Sequence, residues 1–292
     1  MRGCMSDFEI ANPKTLSEAL ALLSESPEKW MPIAGGTDIM VVYAAGKLQH
    51  KSLINIFGLS ELKEIEISTE KSEIKIGAGC TYSQVLKNKT IQQFFPNICA
   101  AAIETGAPAI QNRGTLGGNI VNASPAADSP TALLCYDAQL ELISTQGIRI
   151  LPLNEFYKSY KKFDLKPGEL LKNIILPLNQ KRNTHLYRKV GTRRAQSIAK
   201  LGCALTAHNN GQKLENVRFA ISALTPTISR LKNTEKILET TSIDQIKMSD
   251  LLSSISSAIA PIDDIRSNAN YRRDVILNIS AQFFTELGIL NV

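Results

Sequence analysis

The chain has 292 residues, of which 43% are hydrophobic and 21% charged, with 17 Gly and 12 Pro. A chain of this length and composition can bury its apolar surface without disulfides or metals, which excludes disordered, collagen-like and disulfide-stapled proteins. The 33 Lys and Arg against 27 Asp and Glu give a net charge of +6, far short of a nucleic-acid-binding tail. No apolar run reaches the roughly 18–20 residues of a membrane-spanning helix, so we expect no membrane span.

Cysteine and histidine usage bears on metals and on cell compartment. There are only three histidines, and the chain begins with no apolar signal-peptide core. Because no two cysteines share the C-x-x-C spacing, a disulfide framework and a metal site are both disfavoured. We therefore expect a cytoplasmic protein that holds no metal. The five cysteines are Cys4, Cys80, Cys99, Cys135 and Cys203.

The N-terminal half predicts short strands and helices around one long loop. A capping box at Thr15 and Glu18, followed by apolar residues at helical spacing, predicts a helix over 15–24. Residues 105–128 are rich in Gly, Ala, Asn, Ser and Pro and have no periodicity, and a loop this long inside a domain is usually functional. The other elements predicted in this half are strands at 30–33, 52–56 and 73–76 and helices at 83–88 and 96–104.

The rest of the chain completes the first α+β unit and, from about residue 180, predicts a second one. Residues 177–184 form a polar linker, and the Asn210-Gly211 step predicts a hairpin because Asn-Gly tolerates positive φ. Strand patterns occur at 133–136, 138–143, 148–151 and 170–176, and in the hairpin arms at 199–208 and 216–223. Helices are predicted at 229–239, 243–259 and 270–287, the last with Tyr271, Val275, Ile279 and Phe283 on one face.

Two pairs of adjacent glycines are candidate anion-binding elements, Gly35-Gly36 and Gly117-Gly118. Glycine lets backbone amides approach an anion closely, so two such loops could hold the two phosphates of one dinucleotide. Alternatively, each pair only permits a tight turn, and the residues alone leave both interpretations open. The stretch Gly77–Gly79 begins like a dinucleotide fingerprint, but Tyr82 occupies the third glycine position, so we interpret it as a structural turn.

A basic stretch without any acidic residue spans 181–200. It could face nucleic acid, a partner protein or the phosphates of a cofactor, or it could simply be a solvated surface. Tyr187 is the only aromatic residue among these bases, which disfavours nucleic acid because stacking platforms are missing. The basic residues are Lys181, Arg182, Arg188, Lys189, Arg193, Arg194 and Lys200.

Two motifs carry a family resemblance. Residues 34–38 (Ala-Gly-Gly-Thr-Asp) and, about 80 residues later, 115–128 (Thr-Leu-Gly-Gly-Asn-Ile-Val-Asn-Ala-Ser-Pro-Ala-Ala-Asp) resemble the FAD-binding subunits of molybdenum hydroxylases. These enzymes are of the xanthine dehydrogenase and aerobic carbon monoxide dehydrogenase type. The second motif is long and specific, and the resemblance covers essentially the whole chain, most closely in the separate flavin subunits of bacterial xanthine dehydrogenases.

The resemblance implies the fold class and the domains. We expect an α+β protein with a two-lobed FAD-binding domain of the vanillyl-alcohol-oxidase/CO-dehydrogenase flavoprotein type. A C-terminal α+β domain, with an antiparallel sheet and helices, would follow it. The implied boundaries are residues 1–180 for the FAD-binding domain, with lobes of about 1–58 and 59–180, and 181–292 for the C-terminal domain.

The resemblance also implies the cofactor-binding residues. The first glycine loop would bind the FAD pyrophosphate through backbone amides, and the second motif would reach the ribityl chain. A carboxylate near the flavin, an apolar contact and a basic contact complete the implied site. The residues implied for the pyrophosphate are Ile33, Ala34, Gly35, Gly36, Thr37 and Asp38. Those implied for the second motif are Thr115, Gly117, Gly118, Asn119 and Asn122. The carboxylate is Asp128, the apolar contact is Leu171 and the basic contact is Lys189.

For function, the resemblance implies an electron-transfer subunit. Electrons would leave the substrate at a molybdopterin centre on a large partner subunit and pass through [2Fe-2S] clusters of a small subunit to FAD on this chain. NAD⁺ or another acceptor would then take them, and no catalytic acid or base is expected here. The alternatives are a stand-alone FAD-dependent oxidoreductase on the same fold and a non-enzymatic module that binds anions or nucleic acid.

Overall fold

In the computed structural model, residues 8–193 and 196–290 are described. The N-terminal lobe is built on a small parallel sheet with strand order β1-β3-β2. Helix α1 buries its apolar face against this sheet and against the turn after β3. The core formed there includes Leu20, Ile54 and Leu62. The elements of the lobe are β1 (Glu9–Ala11), α1 (Leu16–Glu25), β2 (Trp30–Ile33), α2 (Ile39–Ala44) and β3 (Ser52–Asn55).

The predicted capping box of α1 is half formed. Thr15 Oγ1 accepts a hydrogen bond from Glu18 N at 3.2 Å, as predicted. The Glu18 carboxylate, however, accepts from Lys14 N at 2.7 Å instead of from the amide of Thr15. The helix therefore starts where the sequence predicts, with the reciprocal bond displaced by one residue.

The middle lobe contains a five-stranded antiparallel sheet with strand order β4-β5-β10-β6-β7 and a group of short helices packed on one face. A two-stranded β8–β9 hairpin lies outside this sheet. The strands are β4 (Ile65–Ser68), β5 (Glu73–Gly77), β6 (Gln139–Ser144), β7 (Gly147–Pro152), β8 (Tyr157–Ser159), β9 (Lys162–Phe163) and β10 (Leu170–Pro177). The helices are α3 (Tyr82–Lys87), α4 (Lys89–Phe94), α5 (Pro96–Glu104), α6 (Pro108–Gln111), α7 (Leu116–Val121), α8 (Asp128–Leu134) and α9 (Leu153–Phe156).

Two predictions in this lobe were wrong. The loop over 105–128 contains two short helices, α6 and α7, whose four and six residues are too few to show periodicity. The strand predicted at 133–136 is instead the end of α8, which is buried at every position after Asp128. A short apolar run does not distinguish a buried helix from a buried strand.

The C-terminal domain is a four-stranded antiparallel sheet, with strand order β11-β12-β13-β14, followed by helices. The predicted hairpin is confirmed between β12 and β13, and Gly211 has a φ of +89° there. The helix predicted at 229–239 begins three residues later, because 229–230 pair as a strand. The elements are β11 (Thr184–Val190), β12 (Leu201–Asn209), β13 (Leu214–Ser222), β14 (Ser229–Arg230), α10 (Lys232–Thr240), α11 (Met248–Ala258) and α12 (Ala269–Glu286).

Helix α12 buries the predicted face except at its first turn. Ile279 and Phe283 are buried as expected, but Tyr271 is 39% exposed and Arg272 is buried in its place. None of the helices among the described residues has the length and apolar character needed to cross a bilayer.

The four-stranded sheet lies between two layers. Successive side chains of a strand point to opposite faces, and on β12 Cys203 and Leu205 pack with the C-terminal helices while Ala204 joins the core of the middle lobe. Helices α5 and α8 cover that second face. The described residues thus form three apolar cores, and the C-terminal domain is docked directly on the middle lobe.

Candidate cofactor site

A cleft of about 1820 Å³ is lined by residues of both lobes and of the C-terminal domain. Every residue that the sequence assigned to the cofactor lies on its wall. Ligand pockets commonly enclose about 300–1,000 Å³, so this cleft has room for a large cofactor. The structure therefore gathers in one place residues that are spread from position 33 to position 189.

The first glycine loop, residues 34–38, connects β2 to α2 at the edge of the N-terminal sheet. Gly36 has a φ of +77°, where a side chain would be strained although a Cβ would make only ordinary 3.7 Å contacts with Ile33 and Met40. Gly35 needs glycine for another reason, since a Cβ there would overlap the carbonyl of Arg113. The two glycines thus serve a turn and a close backbone contact, and both border the cleft.

The second glycine pair lies in α7 and divides its roles in a similar way. Gly117 packs on the turn after β5, where a Cβ would lie 2.6 Å from the carbonyl oxygen of Ala78. Gly118 is exposed, and its N–H donates to Thr115 Oγ1 at 3.0 Å as part of the helix cap. The first glycine of each pair thus serves a close backbone contact that neither interpretation predicted, Gly36 takes the left-handed conformation of a tight turn, and the second glycine of each pair lines the cleft.

Two asparagines of the second motif present amide groups at the cleft. Ser129 Oγ donates to Asn119 Oδ1 at 2.6 Å, and Lys161 Nζ donates to Asn122 Oδ1 at 3.2 Å. Because each side-chain carbonyl is already bonded, the group each side chain offers a ligand is its NH₂ donor. Such donors suit a ligand rich in hydroxyl and phosphate oxygens.

Asp128 and Lys189 form a buried ion pair on the cleft wall, with 2.7 Å between Nζ and Oδ2. Their side chains are 12% and 4% exposed, and Lys189 also donates to the carbonyl of Glu104 at 2.9 Å. Burial raises the pKa of Asp128 to about 6, although the Lys189 charge favours the ionised form. The resemblance implies a contact with the flavin for each of these residues, and the structure adds that they pair with each other and so join the middle lobe to the C-terminal domain.

Other cleft residues were missed by the sequence analysis. Lys161, at the tip of the β8–β9 hairpin, lines the cleft, as do Arg266 and Arg272 of the C-terminal domain. Arg272 lies 2.6 Å from Asp264 and donates to the carbonyl of Ala223 at 3.0 Å. A lysine in a polar hairpin gives no signal in a single sequence. Arg272 was missed because the apolar pattern of α12 predicted that Tyr271, and not Arg272, would be buried.

The basic stretch does not form one surface. Arg182 is 4% exposed and is ion-paired with Asp137, and Lys189 is paired with Asp128. Arg193 lines the cleft, while Arg194 lies outside the described residues. The solvated-surface interpretation is therefore wrong for Arg182 and Lys189.

The residues of the cleft fit an FAD molecule. Two glycine-bearing loops, one from each lobe, face a cleft that is large enough, and one of them requires a left-handed glycine. The amide donors at Asn119 and Asn122 suit its polar chain, and Leu171, which is 5% exposed, offers an apolar contact.

Comparison with known families identifies the class of protein. Residues 6–179 match the FAD binding domain in molybdopterin dehydrogenase, and residues 185–287 match the CO dehydrogenase flavoprotein C-terminal domain. The chain therefore belongs to the molybdopterin dehydrogenase family, in which it is an FAD-binding oxidoreductase subunit.

Individual relatives agree with this assignment. The chain is 29% identical over 273 residues, 93% of each chain, to the xanthine dehydrogenase FAD-binding subunit of Escherichia coli O157:H7. It is 25% identical over 265 residues, 91% of each chain, to the carbon monoxide dehydrogenase medium chain of Afipia carboxidovorans. The solved carbon monoxide dehydrogenase from Hydrogenophaga pseudoflava superposes with a TM-score of 0.89 at 24% identity, covering 95% of this chain and 96% of that one.

These findings confirm the resemblance, the expected α+β flavoprotein fold and FAD as the cofactor of the family. The domain boundaries and the role of each residue at the cofactor stay predictions. Family membership also favours an oxidoreductase subunit over the non-enzymatic alternative.

Proposed function

We propose that this chain binds FAD in the cleft and transfers electrons from iron–sulfur clusters of a partner subunit to NAD⁺ or another acceptor. The observation that carries the proposal is the convergence of residues 33–38 and 115–122, which lie far apart in sequence, on one cleft. The first segment would hold the pyrophosphate, and the second would hold the ribityl chain.

FAD supplies redox chemistry in which electrons are accepted singly and released as a pair, and the protein supplies binding, orientation and electrostatics. The backbone of residues 34–38 would donate to the pyrophosphate, and Asn119 and Asn122 would donate to hydroxyl groups. The Asp128–Lys189 pair would place a buried titratable carboxyl and a compensating cation on the wall beside the cofactor.

The names of the relatives indicate that this chain works with partner subunits. The relatives are named as an FAD-binding subunit and a medium chain, and the Hydrogenophaga structure is described as a carbon monoxide dehydrogenase that lacks the Mo-pyranopterin moiety of the molybdenum cofactor. We infer that a molybdopterin-bearing large subunit and a [2Fe-2S]-bearing small subunit complete the enzyme. Because chains similar to this one are named for xanthine, carbon monoxide and nicotinate, we place the choice of substrate on the molybdenum subunit.

The first experiment tests the cofactor site. The purified chain is mixed with FAD and desalted, and its visible absorption spectrum is recorded beside those of Gly36→Val and Gly118→Val. We expect the wild type to retain the flavin spectrum and both variants to lose most of it, because one strains a left-handed backbone and the other adds a side chain at the cleft.

A matched control is Gly58→Val, because a Cβ at Gly58 meets nothing within 4 Å. This variant should retain FAD as the wild type does. Equal retention by all three variants would place the cofactor elsewhere. If the wild-type chain retains no FAD, the same variants are compared within the complex co-expressed with its partners. Anaerobic addition of NADH to the FAD-loaded chain then tests the acceptor, since bleaching of the flavin absorbance is expected only if NAD(H) reaches it.

A further inference from the structure

The loop over 34–38 and the segment over 115–122, together the two glycine loops, belong to different lobes. Their separation therefore depends on contacts between the lobes. One contact between the lobes beside the cleft is made by Gly35 and Arg113. A Cβ on Gly35 would overlap the Arg113 carbonyl and would lie 3.1 Å from Gly114 N, so the two backbones touch. This contact lies only two residues before Thr115, where the second motif begins.

The side chain of Arg113 extends the contact to a second point of the N-terminal lobe. Its Nε donates to Gly35 O at 3.4 Å, and its guanidinium carbon lies 4.3 Å from the centre of the Phe57 ring. Phe57 follows β3 closely, and Ile56 N donates to Ile33 O at 3.0 Å. The ring that Arg113 covers is therefore tied to the strand from which the first glycine loop departs.

The backbone of Arg113 is in turn anchored in the middle lobe. Arg113 N donates to Ile110 O at 3.0 Å, and the next carbonyl, that of Gly114, accepts from Tyr82 N at 3.2 Å. Gly117 N donates to Ala78 O at 2.9 Å. The arginine thus projects from a fixed base onto the loop of the other lobe.

We propose that Arg113 is a positioning residue for the cofactor, and that its contacts with Gly35 and Phe57 form a clasp that sets the spacing of the two glycine loops. The inference rests on the proposed cofactor site. Arg113 and Phe57 are not among the described residues that line the cleft, so the clasp acts through Gly35 and requires no contact of its own with FAD.

The test measures the dissociation constant for FAD by quenching of flavin fluorescence. Arg113→Ala should raise it about two- to five-fold, since Arg113 is exposed, cation–π contacts at exposed sites are worth about 0.5–1 kcal/mol, and 1.4 kcal/mol is tenfold. Phe57→Leu should raise it by a similar factor because it removes the ring. Arg113→Lys keeps a cation over the ring and should recover part of the loss.

Lys63→Ala is the matched control. Lys63 Nζ lies 4.2 Å from the centre of the same Phe57 ring, but no contact between this side chain and the glycine loop accompanies it among the described residues. Its removal should therefore leave the dissociation constant at the wild-type value. The double variant Arg113→Ala/Phe57→Leu should bind FAD no more weakly than the weaker single variant, because the two residues act as one unit.

A merely structural role would give a different result. In that case the variants would unfold at lower temperature, while the dissociation constant at 15 °C would stay at the wild-type value, and the proposal would be overturned. Additive effects in the double variant would overturn it as well. Should Arg113→Ala fail to fold, Arg113→Lys and Phe57→Leu carry the same test.

These experiments distinguish a failure of the clasp proposal from a failure of the proposed cofactor site. If Gly36→Val and Gly118→Val weaken FAD binding but the Arg113 and Phe57 variants do not, only the clasp is wrong. If the glycine variants bind FAD normally, the proposed site is wrong.

Discussion

Two carboxylates near the ends of α8 join the middle lobe to the C-terminal domain in contrasting ways. Asp128, at the start of the helix, faces the cleft and pairs with the single cation Lys189. Asp137, three residues beyond the end of the helix, binds three guanidinium groups, those of Arg182, Arg218 and Arg230.

Their pKa values move in opposite directions. Burial raises the pKa of Asp128 to about 6 because Lys189 compensates it only in part. Burial alone would also raise the pKa of Asp137, but the hydrogen bond and charge of Arg218, with the charges of Arg182 and Arg230, outweigh burial and hold it below 3.8. The number of cations therefore decides the outcome: Asp137 is a fixed anchor, whereas Asp128 is adjustable and lies beside the cofactor cleft.

Breaking the anchor should have the largest effect. Asp137→Asn leaves three arginines without their shared carboxylate, and Arg182 is almost fully buried, so we expect a loss of about 3–5 kcal/mol in the free energy of unfolding. Urea denaturation at pH 7.5 measures this loss. The control is Glu9→Gln, which breaks an exposed pair with Lys29 and should leave the free energy of unfolding nearly unchanged because water screens exposed pairs. Equal losses in the two variants would show that the anchor is no stronger than a surface pair.

Breaking the adjustable pair should cost less. Lys189→Met leaves Asp128 without its cation, but this carboxyl can avoid the penalty by taking up a proton, so we expect a loss of about 1–3 kcal/mol at pH 7.5. The exposed Lys181→Met serves as the control and should lie within about 0.5 kcal/mol of wild type. A loss as large as that of Asp137→Asn would contradict the contrast between the two sites.

The pH dependence of stability sharpens the comparison, because the two carboxylates contribute slopes of opposite sign. Asp128 binds its proton more tightly in the folded state, so between about pH 4 and 6 it lowers stability by up to about 1.4 kcal/mol per pH unit as pH rises. Asp137 holds its proton less tightly when folded, so it raises stability with pH below about pH 4. Asp128→Asn should remove the falling contribution, and Asp137→Asn the rising one.

Urea midpoints measured from pH 3 to 8 on the wild type and both variants test these slopes. Nuclear magnetic resonance of the labelled side-chain carboxyls gives the two pKa values directly. A midpoint for Asp128 at or below 3.8 would contradict the argument from burial.

The smallest expected effect concerns the hydroxyl beside the adjustable pair. Thr105 Oγ1 lies 3.4 Å from Asp128 Oδ2 and 2.7 Å from the carbonyl of Ala101. Thr105→Val should cost about 0.5–1.5 kcal/mol and shift the pKa of Asp128 slightly upward, since one donor to the ionised form is lost. Thr240→Val is the control because Thr240 bonds only a local helix carbonyl far from α8 in sequence, and it should leave that pKa unchanged. A downward shift in Thr105→Val would contradict the expectation.

The sequence indicated which segments line the cleft, but it did not predict the long-range contacts that hold these segments in place. The motifs at 34–38 and 115–128 are local, so they could be recognised without knowing which residues meet in space. The Asp128–Lys189 pair and the clasp between Arg113 and Phe57 join residues that are 56 to 61 positions apart, and no periodicity in a single sequence reports such contacts. The contrast between Asp128 and Asp137 also depends on burial and on three distant arginines.

Local structure was missed where elements are short or where a polar side chain is buried. Helices α6 and α7 are too short to show a periodic stripe, and the apolar end of α8 has the composition of a strand. On α12, the predicted face was wrong at the first turn because Arg272 replaces an apolar residue at a buried position, where its charge is met by Asp264. Charge compensation of this kind is invisible to an apolar pattern.

The wall of the cleft draws on all three separately packed cores, and this has a thermodynamic consequence. A ligand that contacts all three cores binds fully only when all three are folded. Binding in the cleft therefore couples the unfolding of the three cores, which could otherwise unfold in separate steps. At a free concentration one hundred times its dissociation constant, such a ligand adds about 2.7 kcal/mol to the stability of the whole. Calorimetric transitions that are separate in the empty chain should therefore merge into one when the cleft is filled.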